Sequence, residues 1–321
     1  MLDIFKEIRH DLQKVEEELA DVVQHNNPLL NETSSHLLHA GGKRLRPAFA
    51  LLSGKFYNYN FNSVLPLAVA LELIHMASLV HDDVVDSAIT RRGTPTVKSK
   101  WGNRVSMHTG DLVFAKSLLM ISKYEDKPLI AKVLSRTSVK MCEGEIQQLS
   151  SAYESGQTLK DYLYRVHRKT ALLIAASCQL GAVACGAPRE IYMPLRRYGH
   201  RLGVAFQIID DILDMVADQR KLGKPIGGDL RQGIVTLPVI YALKNSPKKE
   251  TLISLVENKN KTEEEVHQAI ELIRECGGIE HSNKIVDKYI YKAKEELKQL
   301  PEVQAKKTLY KIADFVKYRK F

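Results

Sequence analysis

The sequence has little of what marks most alternative fates for a chain of 321 residues. Cysteine occurs four times, as Cys142, Cys178, Cys185 and Cys276, with no Cys-x-x-Cys pair. That argues against a disulfide scaffold or a zinc ribbon and leaves reduced core thiols as the expectation. Aromatics make up 7% of the chain and do not interleave with the basic residues, so no nucleic-acid surface is expected. No run of Ser, Gly and Pro divides the chain, so a single domain over 1–321 is expected. The one alternating patch, 57–62, is short and Asn-rich and reads as a loop, so no strand-rich region is expected. The first residues lack an apolar core of the signal-peptide kind. The uncharged stretch 170–187 approaches the length needed to span a bilayer. It carries Ser177, Gln179, Gly181 and many alanines, however, and reads as the buried helix of a large bundle. No stable membrane insertion is expected, and the chain reads as cytoplasmic.

What is present is helical period. Leu12, Val15, Leu19, Val22 and Val23 recur at the spacing of one helix face. Thr262-Glu263-Glu264-Glu265 reads as a capping box. Ser246-Pro247 reads as an N-cap followed by proline at the first helical position. Breaks fall near Gly41-Gly42, 54–62, 125–128, Ser155-Gly156, 186–188, 223–228 and Gly277-Gly278. The pattern predicts one all-α domain of many helices. Net charge is +9, a balance that suits anionic partners such as phosphates.

Two aspartate clusters carry the chemistry. Asp82-Asp83-Val84-Val85-Asp86 follows the apolar run 71–80, broken by Glu72 and His75. Asp210-Asp211-Ile212-Leu213-Asp214 follows 204–209, broken by Gln207. Asp82 and Asp86 are i and i+4, as are Asp210 and Asp214, so each pair projects from one helix face. Carboxylates at the ends of apolar helices are costly unless a cation neutralises them. Mg2+ suits the arrangement, because it takes hard oxygen ligands and leaves positions for water and substrate phosphate. One such cluster alone reads equally well as a solvated helix end. Two in matching apolar settings favour a shared site reached by two helices. Calcium loops are a poor fit, since their glycine and terminal glutamate are absent.

Cations surround the clusters. Arg91-Arg92 follows the first, and Lys224 follows the second in Gly223-Lys224-Pro225. Gly41-Gly42-Lys43-Arg44-Leu45-Arg46-Pro47 places Lys43 and Arg46 just before an expected helix start. Arginine offers a planar fork to phosphate oxygens, and lysine a movable point charge. Alone, this segment reads as a solvated basic turn. Together the pieces predict two anion sites, one bridged by metal and one made of cations. A metal-held diphosphate becomes a good leaving group. The resulting allylic cation needs a dry cavity, and a second substrate kept intact by cations supplies the attacking double bond.

At this point the residues resemble a known family. Gly42-Lys43-Arg44-Leu45-Arg46-Pro47, His81-Asp82-Asp83-Val84-Val85-Asp86 with Arg91-Arg92-Gly93, Lys169-Thr170, Gln207 with the second cluster, and Gly223-Lys224-Pro225 are similar, in order, to the motifs of the trans-isoprenyl diphosphate synthases. Within that family, the segments 76–83 and 169–175 with the Arg319-Lys320-Phe321 end resemble the catalytic large subunits of bacterial two-component, heptaprenyl-type members. The resemblance implies an all-α isoprenoid synthase fold, a multi-helix bundle around a central active-site cavity. It implies successive condensation of isopentenyl diphosphate onto an allylic primer such as farnesyl diphosphate, giving a heptaprenyl-class product for the menaquinone side chain. It implies that Lys43, Arg46, His75 and Arg92 bind isopentenyl diphosphate, and that Asp82, Asp86 and Asp210 are the main metal ligands. Asp83, Asp211 and Asp214 complete the two catalytic clusters. Arg91, Lys169, Thr170, Gln207 and Lys224 would hold or flank the allylic diphosphate, with Lys169 also counted among the catalytic residues. About three Mg2+ ions would act with substrate bound. A small non-catalytic subunit is implied as a hetero-dimer partner, with a homodimer as the other form, and peripheral contact with the membrane for product delivery.

Single residues have plainer readings. His75 on an apolar helix would otherwise be a satisfied core histidine, and Gln207 and Thr170 ordinary helix polars. His81-Asp82 could belong to an HD-type phosphohydrolase, but that leaves the second cluster unused. A class I terpene cyclase needs one diphosphate site, not two, and a non-catalytic helical subunit would not need every carboxylate and cation intact. Helical geometry adds one expectation. Ser78 and Ala77 lie one turn before Asp82 and are small, with Ile74 a turn deeper, about 5.4 Å per turn. They should line a channel for a growing tail, with Ile74 a partial constriction.

Overall fold

Helix α1 (Arg9–Val23) turns the 3.6-residue pattern directly into packing: Val15, Leu19 and Val23 are buried, while Leu12 and Val22 flank them. The structure is a computed structural model in which residues 4–216 and 226–318 are described. After α1 come α2 (Pro28–His39), α3 (Leu45–Gly54), α4 (Phe61–Val85), a hairpin of β1 (Thr90–Arg91) and β2 (Thr94–Pro95), and α5 (Val97–Ile121). Then follow α6 (Pro128–Ser150), α7 (Leu159–Val166), a π-helical turn His167–Ala171, α8 (Leu172–Ala184) and α9 (Arg189–Val216). Helices α10 (Gly228–Arg231), α11 (Leu237–Asn245), α12 (Lys249–Glu257), α13 (Glu263–Glu275), α14 (Gly278–Lys298) and α15 (Gln304–Tyr318) complete the order. The all-α expectation holds apart from the short hairpin.

The chain forms two compact units. The first runs through Arg136 and adds Ala176–Arg196 and Leu300–Leu309. Its axis is α4, packed on α3 and α5. Leu67, Leu71 and Leu73 of α4 are fully buried, each worth about 1.5–3 kcal/mol. The helix is apolar nearly all round, the mark of a core helix. It is the one described helix long and apolar enough to cross a bilayer, and 67% of its most apolar window is buried in protein. Pro66 removes one N–H from its ladder, and the Tyr124 hydroxyl enters the next rung. That hydroxyl accepts from Leu67 N at 2.9 Å and donates to Ser63 O at 2.6 Å, an inserted side chain of the kind that bends helices. Helix α4 ends without glycine. Ser87 adopts φ +53°, Ala88 N donates to Asp83 O, and Ser87 N donates to Val84 O, which satisfies the last carbonyls in a Schellman arrangement.

Close approach elsewhere in this unit depends on Gly181. A Cβ there would lie 2.0 Å from the Ala50 carbonyl oxygen. Gly181→Ala is therefore expected to destabilise the protein by about 3 kcal/mol, the upper range for overpacking. Chemical denaturation checks this, and an unchanged midpoint would refute the contact.

The second unit holds Thr137–Ala175, Arg197–Gln299 and the residues from Tyr310 onward. Its core joins Met215, Leu230, Val239, Leu252, Val266 and Ile270 with their neighbours. The Thr262 capping box forms as expected, with Glu265 N donating to Thr262 Oγ1 and Thr262 N to Glu265 Oε2. The Ser246-Pro247 expectation is corrected. Helix α12 starts at Lys249, and Ser246 instead caps the end of α11, its hydroxyl accepting from Lys248 N. All four cysteines are free; Cys178 and Cys185 are buried and Cys276 partly so, while Cys142 is exposed rather than a core residue. The uncharged stretch becomes α8 and is buried, as expected.

Candidate active site

In the first unit the cationic turn 41–46 meets the body of α4 at Glu72 and the hairpin that follows that helix at Arg92. Helix α3 begins at Leu45, so Arg46 lies inside its first turn rather than before it. Arg44 is the N-cap and adopts a left-handed φ of 45°. Arg92 and Gly93 both have positive φ, as a two-residue type I′ hairpin requires. This turn sends the Arg92 guanidinium back to donate to the Gly41 carbonyl. Gly42 is the close-approach point: a Cβ there would lie 2.7 Å from Arg92 Nη1 and 3.0 Å from Arg44 Nη1. Lys43 is exposed and Arg46 half-buried. Burial pushes Arg46 down to about 10. His75 is held well below its usual value, first by burial and then by Arg46, Arg92, Arg91 and Arg44. It is therefore a neutral imidazole in a field of guanidiniums. The structure brings Arg46, His75, Arg91 and Arg92 into one cluster.

The first aspartate cluster divides by helical angle. Asp82 and Asp86 are half-buried and exposed respectively, with Asp86 at the C-cap of α4. Asp83, one residue round the helix, is 4% exposed and accepts Arg91 Nε at 2.7 Å. His81 stacks its ring into the space that Gly110 leaves and sits 3.3 Å from Asp111 Oδ1. Among the described residues, no three His, Cys, Asp or Glu side chains form a ready metal cage.

The second unit repeats the division. Asp210 and Asp214 are half-buried, and Asp211 is 4% exposed. Asp211 accepts from the Tyr162 hydroxyl at 2.6 Å and from Gln207 Nε2 at 2.8 Å, and Thr170 Oγ1 donates to Gln207 Oε1 at 2.6 Å. Burial raises Asp211 to about 7 against these hydrogen bonds and against the nearby Arg165. Asp229 is raised well above its usual value, first by burial and then by Asp214 and Asp211. Both Asp214 carboxylate oxygens are engaged by the turn that follows, accepting from Gly228 N and Asp229 N at 3.1 Å each. Tyr153, with φ +66°, braces this turn: its N–H donates to Gly233 O and its hydroxyl to Arg231 O.

Lys169 and Thr170 sit in the π turn His167–Ala171, and such turns often occur at functional sites. Glycine on both sides makes room for it. A Cβ on Gly144 would meet Arg168 Cβ at 2.8 Å, and one on Gly203 would meet Ala171 Cα at 2.7 Å. Lys169 Nζ donates to Glu145 Oε2 at 2.8 Å. Lys224 lies outside the described residues, as does the Arg319-Lys320-Phe321 end. Ala77 and Ile74 are buried and Ser78 is half-buried on α4.

Sequence reasoning missed Arg44, Glu72, Tyr153, Tyr162, Arg165 and Asp229. Glu72 carried a signal, since a charge inside an apolar helix demands a buried partner. Tyr162 and Arg165 carried none, because their role depends on which helix they meet.

The helical architecture and two acid-ended helices, one beside a guanidinium cluster, define an all-α synthase of the isoprenoid type. Residues 27–273 match the family model "Polyprenyl synthetase", and the chain belongs to that family. It is 48% identical over 314 residues to heptaprenyl diphosphate synthase component 2 of Bacillus subtilis (strain 168), covering 98% of this chain and 89% of that protein. It is 47% identical over 311 residues to the component 2 of Geobacillus stearothermophilus, covering 97% and 96%. The crystal structure of heptaprenyl diphosphate synthase from Staphylococcus aureus superposes with a TM-score of 0.92 at 35% identity, covering 98% of this chain and 99% of that one. The chain is a trans-prenyltransferase with the isoprenoid synthase fold.

Proposed function

We propose that the chain condenses isopentenyl diphosphate repeatedly onto an allylic primer, farnesyl diphosphate, to give a heptaprenyl-class diphosphate for menaquinone synthesis. The observation that carries this is the gathering of Arg46, Arg91 and Arg92 about His75 of α4, the helix that ends in the first aspartate cluster. A cyclase has no use for a second, cation-built anion site. Lys43, Arg46, His75 and Arg92 hold isopentenyl diphosphate, and Arg91, Lys169, Thr170, Gln207 and Lys224 hold or flank the allylic diphosphate. Both groups of side chains serve one condensation and the chain acts as one catalytic domain. Incubation with labelled isopentenyl diphosphate and farnesyl diphosphate, followed by chromatography of the dephosphorylated products, tests the reading. Label recovered in chains near thirty-five carbons supports it, and no incorporation sinks it.

The outer carboxylates fit Mg2+. They supply oxygen donors only, with Asp82 and Asp210 half-buried and Asp86 exposed, and the inner Asp83 and Asp211 are held by protein partners. Asp82, Asp86 and Asp210 would hold the metal, which when bound stabilises the departing diphosphate. Without metal, burial pushes the Asp211 carboxyl up from the ordinary 3.8 of the unfolded chain to about 7 in the folded one. Between those values only the unfolded state has released its proton, so folded stability falls as pH rises from about 4 to 7. A cation that neutralises the cluster reverses this. Magnesium is thus expected to raise the melting temperature more at pH 8 than at pH 5. Equal shifts at both pH values, measured by differential scanning fluorimetry, would count against the assignment.

The names of the two bacterial relatives contain "component 2", and we propose that this chain likewise pairs with a small subunit. Val139, Cys142, Ile146 and Leu149 of α6 are exposed at spacings of three and four residues, an unpaired apolar seam. The enzyme works in the cytoplasm, beside the membrane that takes its product.

A further inference from the structure

Glu72 lies within the apolar body of α4, one turn before His75, and is 2% exposed. Its Oε1 accepts Arg44 Nη1 at 3.1 Å, while its Oε2 is buried without a hydrogen-bond partner. Arg44 is itself buried, and Glu16 of α1 takes its other edge, with Nε to Oε1 at 2.5 Å and Nη2 to Oε2 at 3.1 Å. Arg44 thereby pins its left-handed backbone, and with it the Gly41–Gly42 turn that the Arg92 guanidinium grips. Two residues on, Arg46 Nε is buried with no hydrogen-bond partner. Glu72 is the acid that most sustains the charges of Arg46 and Arg92 against burial.

Three arginines gathered this closely repel one another, and burial strengthens the repulsion. A diphosphate would offset it on binding, yet the cluster must keep its shape beforehand. Glu72 is placed to do this. We propose that Glu72 is the resident counter-charge of the cation-built diphosphate site, a positioning residue that fixes the 41–44 turn through Arg44. The proposal rests on the reading that this cluster holds isopentenyl diphosphate. It also opposes simple charge counting. Removing a negative charge should by itself tighten binding of an anion, whereas losing the anchor should weaken it.

The test is steady-state kinetics of the full chain, with its small subunit if turnover requires one, varying each substrate in turn. Arg46→Gln checks the underlying reading: KM for isopentenyl diphosphate must rise, and if it does not, the site assignment and this proposal both fall. Given that rise, Glu72→Gln is expected to raise KM for isopentenyl diphosphate about tenfold, the effect of stranding buried charged partners, with KM for the allylic substrate unchanged. Glu72→Asp, which keeps the charge, should recover most of the loss. An unchanged or lower KM for isopentenyl diphosphate, or an equal rise for both substrates, overturns the proposal while leaving the site assignment intact. If Glu72→Gln does not fold, Arg44→Lys, which gives up the fork shared by Glu72 and Glu16, is read by the same split, and equal KM changes overturn the idea.

Discussion

Asp82→Asn and Asp210→Asn are each expected to lower turnover about a thousandfold or more while leaving the fold nearly intact. The magnitude follows from the chemistry: charge stabilisation of a departing diphosphate is worth several kcal/mol, and each 1.36 kcal/mol is about tenfold in rate. The mild effect on folding follows from position. Asp82 and Asp210 are half-buried, so amides can stay hydrated there. The inner aspartates should behave differently. Asp83→Asn strips Arg91 of a charged acceptor at 2.7 Å, and Asp211→Asn disturbs a network that includes Tyr162, Gln207 and Thr170. Those two variants should lose stability as well as rate. Single-turnover rates over a magnesium titration, with melting curves alongside, separate the two classes. A near-normal rate for Asp82→Asn at saturating magnesium would remove it from the ligand set.

That contrast marks how much was legible in the sequence. The clusters, their i, i+4 spacing and their apolar helices could be read directly, because helical period converts spacing into direction. The split into outer and inner carboxylates was only half legible. Spacing shows that Asp83 and Asp211 point elsewhere, but not that Arg91 and Tyr162 meet them. The hairpin bearing Arg91 and Arg92 escaped because its strands are two residues long and its turn is Arg-Gly rather than Asn-Gly. The π turn under Lys169 escaped because Gly144 and Gly203, which make room for it, lie far away in sequence. Arg46 was placed before a helix that in fact contains it, since a left-handed Arg44 at an N-cap breaks the usual cap preference. For the carboxylate partners and the π turn the missing information was tertiary, and for the hairpin and the Arg44 cap it was a backbone conformation that the residue types do not signal.

Ala77→Phe is expected to shorten the main product while leaving the first condensation intact. Ala77 is 1% exposed, one turn before the first cluster on a helix that packs on α3 and α5. In a close-packed core a phenylalanine there would cost about 1–3 kcal/mol from overpacking and change nothing about chain length. Beside a channel, the same ring has room, and it closes the path about 5–8 Å behind the metal-binding carboxylates. The two possibilities therefore separate cleanly on two readouts, melting temperature and product length. Ser78→Phe gives an independent approach from a half-buried position whose hydroxyl bonds only to the His75 carbonyl. Shorter products from both variants, at near-normal rates of first addition, place the channel along this face of α4. Ile74→Ala should then do the reverse and lengthen the product by removing a deeper constriction. Unchanged product length in folded Ala77→Phe protein would mean that the tail leaves the site along another helix, and the small residues behind Asp82 would be explained by packing alone.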